Sequence, residues 1–196
     1  MYSAEIRHCG QPVGDNMRET PNGTKPVKLI AAACNNMGIG LNGYLPWNLP
    51  NEFKYLLDTI TKVSQPVIIE SIFLMFSMVP PFVSYVCKNE EEILKLASTP
   101  PLNDEIESIW VLGGVESYKN MMQHPWCNHI YFTKILADFE CDTFFPEFDK
   151  NVFKLKENYP GVPSGIQDEN GVKYVFQVYQ RDLKKAESII MTVEHP

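Results

Sequence analysis

Glu52 is the residue of this sequence best placed for acid–base chemistry. It lies in the first turn of a predicted helix whose apolar residues, Phe53, Leu56 and Ile60, recur at helical spacing. If its side chain points towards the same apolar face, burial raises the pKa of the carboxyl group, which can then donate a proton or pair with a cationic ligand. The alternative is an exposed side chain that only favours the helix dipole. The residues alone leave both positions open.

Two glycine-containing segments are candidates for close contact between the backbone and a ligand. Residues 36–47 contain Gly38, Gly40 and Gly43 and follow a predicted buried strand. Gly113-Gly114 stands between a strand and a helix, where backbone N–H groups and the helix dipole favour a phosphate. Each segment is also consistent with an ordinary turn, and the first lacks the spacing of a dinucleotide-binding fingerprint.

Composition and charge exclude several functional classes. The chain has 196 residues, of which 44% are apolar and 21% charged, as is typical of one globular domain. A net charge of −7 argues against nucleic acid as the primary partner. Five scattered cysteines predict reduced thiols in a cytoplasmic protein, and four histidines lack metal-ligand spacing. The longest apolar stretch, residues 71–79, is too short to span a membrane.

The order of the predicted elements indicates an α/β fold. Strands are predicted at 27–34, 65–70, 82–87, 107–112, 128–136, 152–155 and 172–179, and helices at 50–60, 90–97 and 115–122. This order predicts a mainly parallel sheet with antiparallel C-terminal strands and flanking helices. We expect one domain over residues 27–181, between a flexible leader (1–26) and a C-terminal tail (182–196).

Taken together, these segments resemble the dihydrofolate reductases, and the animal sequences of that family most closely. The resemblance covers most of residues 28–180 and implies the fold of that family. The matching segments are Ile30–Cys34, Asn36–Gly40, Asn42-Gly43, Leu45–Trp47, Asn51–Phe53, Trp110–Gly114, Tyr118-Lys119, Thr133, Asp142–Pro146 and Tyr159–Val162. So many motifs in the family's order make coincidence negligible.

The resemblance implies a catalytic role for Glu52. Its carboxylate would bind the N3 and 2-amino edge of a pterin and help bring a proton to N5, while NADPH delivers hydride to C6. Trp47 would hold an ordered water near the pterin, and Thr133 would hydrogen-bond Glu52.

The resemblance also implies the residues that contact each ligand, and a cis peptide bond at Gly113-Gly114. The implied cofactor-binding residues are Ala32, Ile39, Gly40, Leu41, Asn42, Gly43, Tyr44, Leu45, Gly113, Gly114, Val115, Glu116, Ser117 and Tyr118. The implied substrate-binding residues are Ile30, Ala31, Glu52, Phe53, Leu56, Leu112, Tyr118 and Thr133. No metal ligand is implied.

The sequence departs from the family after Ile69. There the family continues with a basic helical segment and an Arg-containing strand, which bind the 2′-phosphate and pyrophosphate of the cofactor and the glutamate carboxylate of the substrate. In this chain no basic residue lies between Lys62 and Lys88, and roughly twenty residues are missing. We therefore expect weaker binding of both ligands. The apolar stretch 72–79 would either fill the gap in the sheet or form an exposed, aggregation-prone segment.

The sequence supports one leading function and two alternatives. The leading function is NADPH-dependent reduction of 7,8-dihydrofolate to 5,6,7,8-tetrahydrofolate, impaired by the missing segment, in a monomer that also binds antifolates. One alternative is a non-catalytic protein that keeps the pterin pocket for folate or antifolate binding. The other is an unstable product without a function.

Overall fold

The structure is a computed structural model that describes residues 7–8, 25–61, 67–70, 83–87, 90–100, 102–106 and 108–182. Three expectations from the sequence concern other residues. They are the flexible leader, apart from the few described residues within 1–26, the apolar stretch 72–79, and the tail beyond residue 182. All three lie outside the described residues and stay predictions.

Helices and strands share the first part of the chain, and the described elements beyond residue 123 are all strands. The helices are α1 (Pro50–Thr61), α2 (Glu90–Ala97), α3 (Leu102–Glu105) and α4 (Val115–Gln123). The strands are β1 (Arg7–His8), β2 (Val27–Ala33), β3 (Gly38–Gly40), β4 (Val67–Glu70), β5 (Val83–Cys87), β6 (Ile109–Val111), β7 (Cys127–Ile135), β8 (Thr143–Phe144), β9 (Phe153–Lys156), β10 (Gln167–Glu169) and β11 (Val172–Arg181). Within the described ranges, no helix is long and apolar enough to cross a membrane.

Nine of the strands form one mixed sheet in the order β1-β5-β4-β6-β2-β7-β11-β10, with β9 alongside β11. The pairs from β1 to β7 are parallel, whereas β11 pairs antiparallel with β7, β9 and β10. A separate antiparallel ribbon joins β3 and β8. The predicted α/β class, a mainly parallel sheet with antiparallel C-terminal strands, is confirmed.

The central strand β2 packs on both of its faces, as its nearly continuous apolar sequence predicts. Successive side chains of a strand point to opposite faces of the sheet. Leu29 accordingly packs in one core with Ile93 of α2 and Met121 of α4. Its neighbour Ile30 packs in a second core with Ile60 of α1. Helices α4 and α1 therefore flank β2 from opposite sides.

Several short elements were not among the predicted ones, namely α3, β3, β8 and β10. Each has four residues or fewer, too few to show a helical or strand period. In addition, Arg7 and His8 of β1 pair in parallel with Tyr85 and Val86 of β5. These two residues precede Val27, where the predicted domain begins, and the bounds of that domain stay a prediction.

The ribbon of β3 and β8 requires a glycine at position 38. A Cβ atom on Gly38 would lie 2.6 Å from the Cβ atom of Cys141, far inside the normal contact distance. A Cβ atom on Gly40 would meet nothing closer than 3.5 Å. The close approach of Cys141 therefore requires glycine at position 38. The sulfur of Cys141 also lies 3.8 Å from that of Cys34.

We predict that Gly38→Ala lowers the free energy of unfolding by about 1–3 kcal/mol, because the added methyl group overlaps Cys141. Urea denaturation measures the loss. The matched control is Gly40→Ala, which adds the same group at ordinary contact distance. The double variant Gly38→Ala/Cys141→Gly should lose less free energy of unfolding than the two single variants lose in total. Strict additivity would contradict the packing assigned to this position.

Candidate active site

Helix α1 places Glu52 in the protein interior. The helix begins at Pro50, whose fixed φ and missing N–H suit a first turn. Its buried residues, Glu52, Leu56 and Ile60, recur every four positions and therefore lie on one face. The side chain of Glu52 is only 2% exposed. Of the two positions that the sequence leaves open for this carboxyl group, the structure has the buried one.

The surroundings of Glu52 favour the protonated form of its carboxyl group. Burial is the largest cause and raises the pKa from 4.5 to about 7. A hydrogen bond from the hydroxyl group of Thr133 lowers this pKa, and the charge of Glu169 raises it. A carboxyl group with a pKa near neutrality can hold a proton and release it at the same pH.

A cavity of about 270 Å³ opens beside Glu52. The ends of β2 and β6 and the first turns of α1 and α4 contribute to its wall. Glu52 is the one charged residue among the described residues that line it. The lining residues are Ile30, Ala31, Ala32, Ile39, Gly40, Gly43, Tyr44, Leu45, Glu52, Phe53, Leu56, Leu112, Gly113, Gly114, Val115, Tyr118 and Thr143.

Most of the residues that the resemblance assigns to the two ligands meet at this cavity. Every implied substrate-binding residue except Thr133 lines it, and so do ten of the fourteen implied cofactor-binding residues. The predicted site residues that do not line it are Trp47, Thr133, Leu41, Asn42, Glu116 and Ser117. The structure therefore brings the two implied sets together, while their roles stay predictions.

The cofactor residues outside the wall lie in two places next to it. Leu41 and Asn42 belong to the turn after β3, where the N–H of Asn42 donates a hydrogen bond of 2.8 Å to the carboxylate of Asp142. Glu116 is exposed in the first turn of α4, and Ser117 is buried next to it. These four residues adjoin the cavity through their neighbours in sequence.

Trp47 packs in a separate core cluster with Leu49, Ile135 and Tyr174. Its ring meets that of Phe139 edge to face, with 5.5 Å between ring centres. Its indole N–H is buried and has no hydrogen-bond partner in the described part of the chain. Because an unpaired buried donor is costly, this N–H is suited to a small polar molecule beside it.

The turn between β6 and α4 brings backbone to the cavity. The Gly113–Gly114 peptide bond is cis, as the resemblance implies, and Gly113 has a φ of +135° that favours glycine. The hydroxyl group of Tyr118 donates a hydrogen bond of 2.8 Å to the carbonyl oxygen of Ile30 and so ties α4 to β2. Gly114, the N-cap residue of α4, has no side chain with which to cap the first turn. Uncapped helix ends of this kind suit anionic groups.

Two residues at the site have no role in the sequence-based assignment. Thr143 of β8 lines the cavity, although its motif was noticed only as part of the resemblance. Glu169 of β10 is buried and accepts hydrogen bonds from the N–H groups of Asn51, at 2.8 Å, and Glu52, at 3.3 Å. It follows Glu52 by 117 residues in the chain, so no local spacing relates the two.

The arrangement suits a flat heterocycle that accepts a proton or carries a positive charge. Glu52 supplies a carboxyl group at one end of the cavity, and Phe53, Leu56 and Leu112 supply apolar walls. In such a dry setting a charge-assisted hydrogen bond is stronger than in water. No group of three or more potential metal ligands lies together within the described ranges.

A sequence profile described as dihydrofolate reductase matches residues 81–181. The chain belongs to the dihydrofolate reductase family. It is 36% identical to the dihydrofolate reductase of Gallus gallus, over 81% of this chain and 98% of that protein. It is also 36% identical to that of Rattus norvegicus, over 80% and 98%. Among solved structures, Schistosoma mansoni dihydrofolate reductase aligns with a TM-score of 0.65 at 23% identity, covering 81% of this chain and 99% of that one, which confirms the fold.

The comparison with the Gallus gallus protein is consistent with a missing segment. The alignment has 186 positions but includes only 81% of the 196 residues, which is about 159. Roughly 27 positions, 186 less 159, therefore have no counterpart in this chain. In addition, the family profile begins to match only at residue 81, after the segment where the sequence departs from the family.

We predict that Glu52 makes the protein less stable as pH rises. The folded chain keeps this proton up to a pKa of about 7, whereas the unfolded chain releases it near 4.5. Between these values the folded state binds more protons, so the free energy of unfolding falls by about 3 kcal/mol from pH 4.5 to pH 8. Glu52→Gln removes the titrating group and with it this part of the pH dependence. Denaturation at several pH values should therefore show the variant becoming more stable relative to the wild type as pH rises.

The matched control is Glu116→Gln, an exposed glutamate in the first turn of α4. It should keep the pH dependence of the wild type. A stability difference between Glu52→Gln and the wild type that does not change with pH would show that the carboxyl group of Glu52 titrates at its ordinary value.

Proposed function

We propose that this protein reduces 7,8-dihydrofolate to 5,6,7,8-tetrahydrofolate with NADPH as the hydride donor. The single observation that supports this function best is the protonatable carboxyl group of Glu52 in a cavity whose other described lining residues are uncharged. Family membership supports dihydrofolate reduction in general, and the positions of the residues support the specific roles argued below.

The residues present fit the nicotinamide end of the cofactor. The cavity wall beside α4 includes Gly113 and Gly114, where backbone approaches the cavity without side chains. A Cβ atom on Gly113 would lie 3.7 Å from the hydroxyl oxygen of Tyr118 and 3.8 Å from its ring, so a side chain here would occupy space next to that ring. When bound, NADPH supplies a hydride. Ala32 and Ile39 provide further apolar contacts for the nicotinamide ring.

Glu52 provides both orientation and a proton in the proposed reaction. Its carboxyl group pairs with the N3 and 2-amino edge of the pterin, which fixes the ring against Phe53 and Leu112. At neutral pH the group is protonated in about half of the molecules and so provides the proton that N5 receives. Thr133 holds the carboxyl group by a hydrogen bond. The unpaired indole N–H of Trp47 is the donor proposed for an ordered water that relays the proton.

The loop after β3 excludes water from the proposed reaction. Gly40, Gly43 and Leu45 line the cavity, and Tyr44 lines it while remaining 72% exposed. A large, exposed aromatic side chain at a cavity mouth can lie over a bound ligand and displace solvent from it. Water exclusion strengthens the interaction between Glu52 and a charged ring.

A second function, binding of folate or antifolate without turnover, is favoured by one specific observation. No Lys or Arg occurs in residues 63–87, the part of the chain from which the family's ligands to the cofactor phosphates come. A protein with an intact pterin site and a weak cofactor site would bind pterins without reducing them. Turnover distinguishes the two functions.

We also propose residues 27–181 as the functional domain of a cytoplasmic monomer. Cys34, Cys127 and Cys141 are free thiols, in keeping with a reducing compartment. The net charge of −7 supports small molecules rather than nucleic acid as partners.

Purified protein mixed with dihydrofolate and NADPH tests the proposed function through the absorbance of the reduced cofactor. We expect oxidation of NADPH, with a kcat/KM that falls as pH rises above about 7, because the ionised form of Glu52 has no proton to donate. Glu52→Gln should lower kcat by a factor of about 10²–10⁴. The control Asp58→Asn removes a carboxylate on the exposed face of the same helix, where it pairs with Lys54, and should keep wild-type activity.

The binding of a diaminopyrimidine antifolate, measured by thermal shift, separates the alternatives. No turnover at high protein concentration, together with a thermal shift that Glu52→Gln abolishes, would establish the binding function instead. Absence of both turnover and binding would contradict both functions.

We predict little discrimination between NADPH and NADH. In the family, basic residues of the segment after Ile69 contact the 2′-phosphate that distinguishes the two cofactors, and residues 63–87 of this chain contain none. Each lost contact between charged groups typically costs about 1.5–3 kcal/mol. The KM values for the two cofactors should therefore agree within about tenfold. A preference for NADPH of more than a hundredfold would show that other residues bind the phosphate.

A further inference from the structure

We propose that Glu169 is a positioning residue for Glu52: its carboxylate holds the first turn of α1, and its negative charge favours the protonated form of Glu52. The inference rests on the proposed function, because it gives Glu169 a part in proton supply. It concerns a residue that the sequence does not connect with the site.

The hydrogen bonds of Glu169 lie at the start of the helix that bears Glu52. The N–H of Asn51 donates to both carboxylate oxygens of Glu169, at 2.8 and 3.1 Å, and the N–H of Glu52 donates to one of them at 3.3 Å. The first N–H groups of a helix have no partner within the helix. A carboxylate at this end also interacts favourably with the helix dipole. Glu169 therefore acts as an N-terminal cap supplied from a distant strand.

The hairpin of β10 and β11 determines where this carboxylate lies. Glu169 is the last residue of β10 and pairs with Val172 across a two-residue turn, Asn170-Gly171. Both turn residues have positive φ, +54° and +77°, which is the requirement of the tight turns preferred in hairpins. The side-chain amide of Asn170 also donates a hydrogen bond of 2.9 Å to the carbonyl oxygen of Asn48. The turn is thus fastened to the chain just before α1.

Glu169 is buried and has a further donor. It is 8% exposed, and the hydroxyl group of Tyr174 of β11 lies 3.4 Å from one carboxylate oxygen, at the outer limit of a hydrogen bond. Burial keeps solvent from screening its charge, and one of its oxygens lies 3.3 Å from the backbone nitrogen of Glu52. The proximity of a second carboxylate raises the pKa of Glu52.

The other groups that face Glu52 do not replace this charge. Thr133 of β7 donates a hydrogen bond and favours the ionised form of Glu52. Tyr55 of α1 and Tyr174 interact electrostatically with Glu52, and the pKa of each is raised, to about 12 for Tyr174, so both are neutral near pH 7. Among the described residues, Glu169 is therefore the charged neighbour that adds to the effect of burial and favours the protonated form of Glu52.

Two substitutions separate the charge of Glu169 from its length. Glu169→Gln keeps the length and one oxygen acceptor but removes the charge. Glu169→Asp keeps the charge but withdraws it from α1 by one methylene group. We expect the pKa of Glu52 to fall by roughly half a unit to one unit in Glu169→Gln and to stay closer to the wild-type value in Glu169→Asp. The control Asp168→Asn removes an exposed charge from the adjacent position and should not move it.

The pKa of Glu52 is read in two independent ways. The first is a ¹³C NMR titration of glutamate-labelled protein, with the Glu52 signal assigned by its absence in Glu52→Gln. The second is the pH at which kcat/KM falls by half. The NMR titration needs no turnover, so it tests the inference even if the proposed function fails. Turnover by the wild type with no downward shift in Glu169→Gln, by either readout, would contradict the inference and leave the proposed function intact.

A purely structural cap predicts a different pattern. In that case both Glu169 variants lower the free energy of unfolding, while the titration of Glu52 stays unchanged in both. If Glu169→Gln does not fold, Glu169→Asp still decides the matter. A titration midpoint of Glu52 that falls in this variant, by less than the shift expected for full removal of the charge, supports the proposal. An unchanged midpoint despite lost stability is the pattern of a purely structural cap and contradicts it.

Discussion

The removal of Glu52 from water is the constraint on which the rest of the site depends. A carboxyl group in an apolar wall is unfavourable when it is ionised, so it retains its proton until a cationic partner or a change in pH compensates. Thr133 and Glu169 act on this balance in opposite directions, the first favouring charge and the second opposing it. Reactivity near neutral pH is thus a property of the fold around one side chain, since an exposed glutamate has a much lower pKa.

Much of the fold could be predicted from the sequence because its central elements have strong local patterns. The apolar run of β2, the apolar stripe of α1 and the glycines after β6 each identify an element and the place where it ends. Parallel strands then bring their carboxyl ends to one edge of the sheet, where open α/β folds bind ligands. For this reason most of the residues predicted to contact the ligands do line a single cavity. The strands β1, β8 and β10, with two or three residues each, have no such pattern and could not be predicted.

Glu169 shows why part of the site could not be predicted from the sequence. Its significance comes from hydrogen bonds to a helix more than a hundred residues earlier in the chain. Locally the segment reads as a polar hairpin turn, and its Asn-Gly pair predicts only the turn. The function of this residue depends on register, because moving β10 by one position would turn the Glu169 side chain to the other face of the sheet. The spacing of residues along the chain cannot reveal a contact that depends on how distant strands pair.

The missing segment affects the two ends of the proposed site differently. The residues proposed to bind the pterin belong to β2, α1 and α4 and to the turn after β6, all of which are present and contribute to the wall of one cavity. The phosphate end of the family's cofactor site is built from the basic segment after Ile69, which this sequence lacks. The two ends bind by different physics, since burial and one carboxyl group hold a pterin, whereas charge pairing holds phosphates. We therefore expect loss of the phosphate end to lower affinity for the cofactor while leaving Glu52, the acid of the proposed reaction, in place.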